Sequence, residues 1–282
     1  MYEEYPKSNK EVMNKRHPKT IYKFRDWNNS HHKRILQNNE LYVPSVNQLN
    51  DPFDCLIKYD YSEIENEGLS KRVINLYFEE FGDKISELGY NKKELINNSD
   101  SNIQLTLLNL KKYYDGVFEK NREKHLGVIS FSKIWNNLLM WSHYSNSHKG
   151  FCVGFNTQKL INSRKFENGC KVFYPQNYPL VKPFDNDVEK ITSIFYNKSN
   201  DWSYEEEYRM IKSFGSHRNN DEFKKQKIFY FEDNFISEVI LGWKISKEHR
   251  EELLIECNKK NIPVYQIEVV SNNFKLTRER IN

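Results

Sequence analysis

The chain has 282 residues, enough for one large domain or two small ones with a sizeable buried core. Aromatic residues make up 15% of the sequence, which excludes an intrinsically disordered chain. The net charge of +4 balances 43 basic residues against 39 acidic ones, so charge alone does not indicate a nucleic-acid partner.

The sequence has no sign of a membrane or secreted protein. No apolar run approaches the roughly 20 residues of a membrane span, and residues 1–18 lack the apolar core of a signal peptide. The cysteines have no spacing typical of a zinc knuckle or a redox motif. We therefore expect a reduced, cytoplasmic protein that has no membrane partner.

Residues 1–19 are charged and irregular, which predicts a flexible N-terminal arm. Residues 20–282 are predicted to form a single α+β domain with a mixed central sheet and flanking helices, because strands neighbour strands as well as helices. The predicted strands are 20–24, 41–43, 127–131, 151–155, 170–174, 204–212, 227–231, 238–241, 264–270 and 274–279. Helices are predicted at 30–38, with Ser30 as N-cap, at 187–198, and at 246–260, with Ser246 as N-cap.

A helical insertion is predicted at about 62–124. Apolar residues recur at helical spacing in Leu69–Phe81 and again in Ile103–Val117. The insertion can serve as a lid or as the interface for a protein partner.

Two early motifs are candidates for a ligand site. Tyr22 lies on the first strand, and Arg25 follows that strand directly. The loop Asn47–Asp54 contains Asn50 and Asp51 before a proline, a pattern typical of a turn locked by side-chain bonds to the backbone. Turn chemistry alone explains this loop; the alternative is a functional loop that displays Asp51 or Asp54.

The segment Trp141–Phe155 combines a helix end with the start of a strand. Trp141, Tyr144 and His148 are spaced three and four residues apart, which predicts one shared helix face. Gly150 is predicted as a left-handed helix cap. The face is either ordinary core or part of a site.

The segment DWSYEEEYRMIK, at 201–212, is the most charged predicted strand. Strand alternation predicts that Glu205, Glu207 and Arg209 share one face, and Tyr204 the other. Paired carboxylates beside a guanidinium in a cleft are typical of a catalytic site. A solvent-facing strand and a helix remain alternatives.

Taken together, these stretches resemble the bacterial and phage family called domain of unknown function 2971. The resemblance rests on an ordered set of motifs over about 20–270: YKFR at Tyr22–Arg25, NDPFD at Asn50–Asp54, WSHYSNSHKGFCVGF at Trp141–Phe155, Lys198, WSYEEEYR at Trp202–Arg209 and VILG at Val239–Gly242. Because some relatives lie near phage-defence and abortive-infection genes, the resemblance implies a defence role.

The layout is also similar in outline to ADP-ribosyltransferases that use an Arg, a Ser and a Glu-x-Glu pair. That similarity implies NAD as the cofactor, with Arg25 on its phosphates and Glu205 and Glu207 at the ribose. Trp141 and Tyr144 would stack on nicotinamide or close the cleft, and His148 would donate a hydrogen bond to a phosphate or a ribose hydroxyl. No Ser-Thr-Ser motif is present on a middle strand; Ser130 and Ser132 are the nearest substitutes.

Two other classes of function stay open. The first is a non-enzymatic partner or sensor in a defence or toxin–antitoxin operon, which would bind through the 62–124 helices. The second is a metal-dependent nuclease, with ligands from Asp51, Asp54, Glu205 and Glu207 and phosphate contacts from Lys224, Lys225 and Lys227. The transferase hypothesis requires Arg25, Trp141, His148 and Glu207 to meet around one cavity.

Overall fold

A computed structural model of the chain describes residues 17–62, 64, 71–97, 101–182, 184, 187–216, 219–270, 272 and 274–282. Most of the predicted N-terminal arm therefore lies outside the described residues. The chain divides into two compact units. The first, here called the sheet unit, comprises Met1–Cys55, Glu123–Asn177 and Phe195–Asn282; the second, the helical unit, comprises Leu56–Arg122 and Tyr178–Ile194.

The sheet unit is built on a mixed eight-stranded sheet of order β10-β9-β8-β4-β1-β3-β6-β5, beside a two-stranded sheet of β2 and β7. The strands are β1 Thr20–Arg25, β2 Glu40–Tyr42, β3 Leu126–Ser132, β4 Phe151–Asn156, β5 Asn168–Lys171, β6 Glu207–Ser213, β7 Ile228–Tyr230, β8 Ile236–Leu241, β9 Val264–Val270 and β10 Lys275–Arg280. Only the β8–β9 pair of the large sheet is parallel among the described strands. The predicted α+β class and mixed sheet are confirmed.

Alternation along the central strands explains why the large sheet has core on both faces. Phe151, Val153 and Phe155 of β4 are fully buried in one apolar cluster, and Cys152 between them is buried in another. Strand side chains point to opposite faces in turn, so this pattern requires a strand covered on both sides. The predicted strand alternation is therefore confirmed at β4.

The described helices are α1 Ser30–Gln37, α2 Lys71–Glu87, α3 Lys92–Asn97, α4 Ser101–His125, α5 Leu138–Tyr144, α6 Thr157–Asn162, α7 Asp187–Phe195, α8 Asn220–Gln226 and α9 Lys247–Lys259. Ser246 caps α9, as predicted, by accepting a hydrogen bond from the His249 N–H. The N-cap of α1 is Asn29 rather than Ser30, because the Asn29 side chain accepts from the His31 N–H.

The helical unit has an apolar core of its own. Val73, Tyr77 and Leu107 are fully buried in it, which confirms both predicted helical stripes at these positions. Leu69 and the side chain of Ile103 lie outside the described residues. Apolar residues remain exposed on α4, among them Leu105 and Tyr113, which are 56% and 65% exposed.

Within the part of the chain that the structure describes, no helix combines the length and the apolar character needed to cross a membrane.

Candidate active site

A cavity of about 320 Å³ is lined by residues of three neighbouring strands of the sheet unit, β1, β3 and β6. Its polar and charged lining residues are Lys23, Arg25, Gln48, Asn50, Asp54, Ser130, Ser132, Tyr144, Lys198, Glu205 and Glu207. This volume is at the lower end of the range for small-molecule sites. The cavity therefore suits a ligand portion with several polar groups.

A buried lysine joins the two carboxylates of the cavity wall. Lys198 Nζ lies 2.5 Å from Glu205 Oε2 and 3.2 Å from Glu207 Oε2. All three residues are less than a tenth exposed. Glu207 is also held by Arg209, whose Nε donates to Oε1 at 2.6 Å, so this carboxylate has two cationic partners.

The two carboxylates differ in acidity. Burial raises the pKa of Glu205, and the Glu207 charge adds to that rise while Lys198 opposes it. Burial also acts to raise the pKa of Glu207, but Arg209 and Lys198 outweigh it and hold that pKa well below its usual range. Neighbouring carboxylates whose environments separate their pKa values can take different roles, one ionised and one able to carry a proton.

Two cations project from β1 into the same cavity. Burial, together with the nearby Arg25 charge, lowers the pKa of Lys23 well below its ordinary value. The Lys23 ammonium donates to the Ser130 carbonyl oxygen and lies 5.5 Å from the centre of the Phe131 ring. Burial lowers the pKa of Arg25 to about 10, which still leaves its guanidinium charged at neutral pH. The wall at β1 can therefore receive an anionic group.

Hydroxyl groups hold the acidic wall in position. The Tyr144 hydroxyl donates to Glu205 Oε1 at 2.5 Å, and the Asn50 side chain hydrogen-bonds Tyr144. Ser132 Oγ donates to the Glu205 carbonyl oxygen at 2.7 Å, and the Ser130 side chain bonds the Glu207 carboxylate. Both serines named as substitutes thus act on the acidic pair.

Six of the eleven predicted site residues line this cavity. They are Tyr22, Arg25, Asn50, Tyr144, Glu205 and Glu207. The other five do not line it: Asp51, Trp141, His148, Tyr204 and Arg209. The expected meeting of four groups around one cavity thus holds for Arg25 and Glu207 and is wrong for Trp141 and His148.

Arg209 lies behind the cavity wall, where it is fully buried. Its Nη2 donates to Asp54 Oδ2 at 2.6 Å, and its Nη1 donates to the Phe195 carbonyl oxygen at 2.8 Å. With Glu207 also bound, every direction of the guanidinium plane has an acceptor. Arg209 therefore positions the carboxylates of Asp54 and Glu207, and its guanidinium has no N–H group left to bind a ligand.

The predicted strand at 204–212 begins later than expected. Tyr204 and Glu205 belong to a 3₁₀ turn, Asn200–Glu205, which ends at Glu206 in a left-handed conformation with φ 46°. Since β6 starts at Glu207, the shared strand face predicted for Glu205 and Glu207 is wrong. The turn nevertheless brings both carboxylates to one lysine.

The predicted helix face of Trp141, Tyr144 and His148 is also wrong. The helix α5 ends at Tyr144, and His148 follows a left-handed run in which its own φ is 67°. Trp141 is core, packed edge-on against Phe24 at a ring distance of 5.1 Å. The His148 ring stacks over Trp141 at 6.5 Å, and neither residue lines the cavity.

Gly150 is required for close packing and not for a left-handed cap. Its φ is not positive, but a Cβ atom there would lie 2.1 Å from the Arg25 carbonyl oxygen. A Cβ atom on Gly242 would likewise lie 2.2 Å from the His148 carbonyl oxygen. The Gly242 N–H donates to the Gly150 carbonyl oxygen at 2.9 Å. The end of β1, and with it Arg25, is thus supported by backbone.

The NDPFD loop is both a turn held by side-chain bonds and a part of the cavity wall, so both interpretations of it apply. Asp51 locks the turn, because its Oδ1 accepts from the Phe53 N–H at 2.9 Å. Asp54 is 8% exposed and borders the cavity, where it is bound to Arg209. Among the described residues, no group of three His, Cys, Asp or Glu side chains could hold a metal ion.

Sequence reasoning overlooked two cations of the site. Lys23 and Arg25 are two residues apart on β1, so strand alternation places both side chains on the same face. This alternation would have predicted Lys23 as a lining residue beside Arg25. Lys198 appeared only as a motif position, and nothing in its local sequence shows that it bridges Glu205 and Glu207.

The fold and site define an α+β protein with a cavity on its large sheet that is lined by both cationic and acidic side chains. Residues 140–210 match the family model described as "Protein of unknown function (DUF2971)", which confirms the resemblance to that family. The matched region contains Tyr144, Lys198, Glu205 and Glu207, whereas Lys23 and Arg25 precede it. Neither the curated proteins nor the solved structures contain a match to this chain.

Proposed function

We propose that the sheet unit cleaves the nicotinamide–ribose bond of NAD, or of a related nucleotide, and transfers the ADP-ribosyl group to an acceptor. The observation that carries this proposal is that Arg25, Glu205 and Glu207 line one cavity. Trp141 and His148, which were expected at the same cavity, do not line it, so the proposal gives them no part in the reaction. We extend the proposal to a role in phage defence, which is the role that the resemblance of the sequence motifs implies.

The reaction breaks the bond between ribose C1′ and the nicotinamide nitrogen, and nicotinamide leaves with the electron pair. An oxygen or nitrogen nucleophile of the acceptor, or water, then bonds to C1′ and gives up a proton. Positive charge builds on the sugar during the step, and a fixed carboxylate stabilises it. Glu207 suits this part, because its lowered pKa keeps it ionised.

Glu205 suits the transfer of the proton. Its pKa is raised by burial, and it has both a hydroxyl partner, Tyr144, and an ammonium partner, Lys198. A general base is most effective when its pKa approaches the working pH. Glu205 would accept the acceptor's proton, while Arg25 would bind a phosphate.

The experiment is to incubate the purified full chain with NAD and measure released nicotinamide, with and without a bacterial lysate as a source of acceptors. We expect Glu205→Gln to lower kcat by about 100-fold or more, as loss of a transition-state group does. Arg25→Met should mainly raise KM. Glu248→Gln, at an exposed position of α9, serves as the control and should leave both constants unchanged.

The proposal fails if the wild-type chain releases no nicotinamide from NAD under either condition. It also fails if Glu205→Gln and Glu248→Gln release nicotinamide at the same rate, because the cavity would then not contain the reacting groups.

The partner hypothesis remains a proposal for the helical unit. Leu107, within the predicted interface stripe, is fully buried in the unit's own core. A partner would instead contact the exposed Leu105, Tyr113 and Phe118 on α4. Substituting these three residues by Ser should abolish co-purification of a partner and leave nicotinamide release unchanged.

A further inference from the structure

A second cavity in the sheet unit is larger than the first, at about 600 Å³. It lies between the outer face of the two-stranded sheet, formed by β2 and β7, and the residues of α1 and α8. Arg25 lines both cavities. The second cavity contains none of the acidic residues of the candidate active site, so its chemistry has to be judged separately.

The lining of this cavity is strongly cationic. It includes Arg25, Arg34, Lys224 and Lys225, and among the described residues Glu40 is the one carboxylate that lines it. Glu40 is occupied by Arg34, whose Nε donates to it at 2.5 Å. Lys224 lies 3.7 Å from Asp221, an exposed pair that contributes little. The remaining charge favours a ligand with more than one anionic group.

Two tyrosines give the cavity exposed aromatic surface. Tyr42 and Tyr230 are 44% and 65% exposed. In the antiparallel pair, Tyr42 is opposite Ile228 and Tyr230 is opposite Glu40, so the two rings lie on one face as diagonal neighbours. Such neighbours are about 7–8 Å apart. The Tyr42 hydroxyl donates to Gln48 Oε1 at 2.8 Å, which fixes that ring.

Cations and exposed flat rings on one surface are the combination by which single-stranded nucleic acid is bound. Bases stack on aromatic rings without regard to sequence, and Lys and Arg follow the phosphates. An acidic peptide would use the cations, but it has no flat ring systems for Tyr42 and Tyr230. The volume suits one or two nucleotides, within the usual range of ligand sites.

We infer that this second cavity binds a single-stranded nucleic acid, with bases on Tyr42 and Tyr230 and phosphates on Lys224, Lys225 and Arg25. The inference concerns binding and needs no metal and no cleavage of the strand. Although Arg25 lines both cavities, the inference can be tested separately from the proposed reaction of NAD, because none of the residues altered in its test lines the first cavity.

The test measures fluorescence anisotropy of the full chain with labelled 12-nucleotide oligomers, U12 and dT12, at several salt concentrations. The wild type should bind, with an affinity that falls as salt rises. Lys224→Glu with Lys225→Glu should weaken binding at least 30-fold and reduce the salt slope by about 1.4, since each phosphate contact contributes about 0.7. Tyr230→Ala should weaken binding roughly tenfold and leave the salt slope unchanged.

The control is the double variant Lys247→Glu with Lys275→Glu, which makes the same charge change at exposed positions that do not line this cavity. It should retain nearly wild-type affinity. A preference for U12 over dT12, or the reverse, would identify RNA or DNA as the ligand, and either supports the inference.

The inference is overturned if neither oligomer binds at low salt, or if the control weakens binding as much as the α8 variant does. Equal binding of poly-glutamate, combined with no effect of Tyr230→Ala, would also overturn it, because the cavity would then be a general polyanion site.

Discussion

The two units each contain a buried cluster of cations and carboxylates, and the clusters differ in what surrounds them. In the helical unit, Lys111 is 1% exposed and binds Asp115 at 2.6 Å and Glu80 at 3.0 Å. The Lys111 ammonium also lies 5.6 Å from the centres of the Phe81 and Phe184 rings.

In the sheet unit, Lys198 joins Glu205 and Glu207, and both carboxylates border a cavity. None of the residues of the Lys111 cluster lines either cavity described above. Burial of charge is thus common to both clusters, and access to a cavity is what distinguishes them. A buried ion pair by itself indicates neither function nor net stabilisation.

The largest expected effect concerns the guanidinium behind the active-site wall. Arg209→Met leaves Asp54 and Glu207 buried without their partner, so we expect the free energy of unfolding to fall by about 3–5 kcal/mol. All five tryptophans belong to the sheet unit, so urea unfolding followed by tryptophan fluorescence measures this loss. Lys120→Met, at an exposed position, is the control. A loss below about 1 kcal/mol would contradict a structural role for Arg209.

Lys111→Met tests the other cluster. It leaves Asp115 without its cation in the helical core, but the Tyr61 hydroxyl still donates to Asp115, and Glu80 is 35% exposed and can be hydrated. The expected loss is therefore at the lower end of the range, about 3 kcal/mol, measured by urea unfolding followed by far-UV circular dichroism. The same Lys120→Met variant is the control. If the Lys111→Met protein is as stable as wild type, the buried ion pairs of Lys111 do not stabilise the helical unit.

Glycine substitutions compare backbone packing in the two units. Gly150→Ala forces a Cβ atom against the Arg25 carbonyl oxygen, and we expect a loss of about 2–3 kcal/mol in tryptophan-monitored unfolding. Gly116 of α4 has nothing within 4 Å of its added Cβ, so Gly116→Ala should stabilise the chain by about 0.5–1 kcal/mol. Equal effects of the two changes would show that the contact at Arg25 is not tight.

The smallest expected effect is a pH dependence of opposite sign at the two active-site carboxylates. The raised pKa of Glu205 contributes stability at low pH that is lost as pH rises through that pKa. The lowered pKa of Glu207 contributes stability above its ordinary value, near pH 4.3, that is lost as pH falls below it.

Between pH 4 and pH 7, Glu207→Gln should therefore become more destabilising and Glu205→Gln less so, each by an amount on the order of 1 kcal/mol. Urea unfolding of both variants and of wild type at the two pH values measures this difference. Parallel pH dependence of the two variants would mean that the carboxylates share one environment.

Much of the sheet unit could be predicted from local pattern. The alternation of Phe151, Val153 and Phe155 predicts a strand because alternate side chains of a strand point to the same face. All three side chains lie in one buried apolar cluster, as this pattern requires. Arg25 and Glu207 could be assigned to one cavity only through the similarity in layout to ADP-ribosyltransferases, because the two residues are far apart in sequence.

The errors arise where backbone conformation is decided by distant parts of the chain. Glu206 takes a left-handed φ in a run of acidic residues that local propensity allows to continue as a strand. Trp141 and His148 have ideal helical spacing, yet α5 stops at Tyr144, and the backbone after it is held by hydrogen bonds to Gly150 and Lys244. Sequence spacing carries no information about the bond to Lys244, which is distant in sequence.

Gly150 and Gly242 pack closely against neighbouring carbonyl groups, so the backbone support of this region does not depend on the side chains that line the cavity. Because main-chain atoms alone hold the final residue of β1 at this junction, replacement of the side chain at position 25 leaves the supporting contacts untouched. The residue at position 25 can accordingly be exchanged to accept a different ligand while the backbone beneath it persists. The junction is thus a natural starting point for redesigning selectivity.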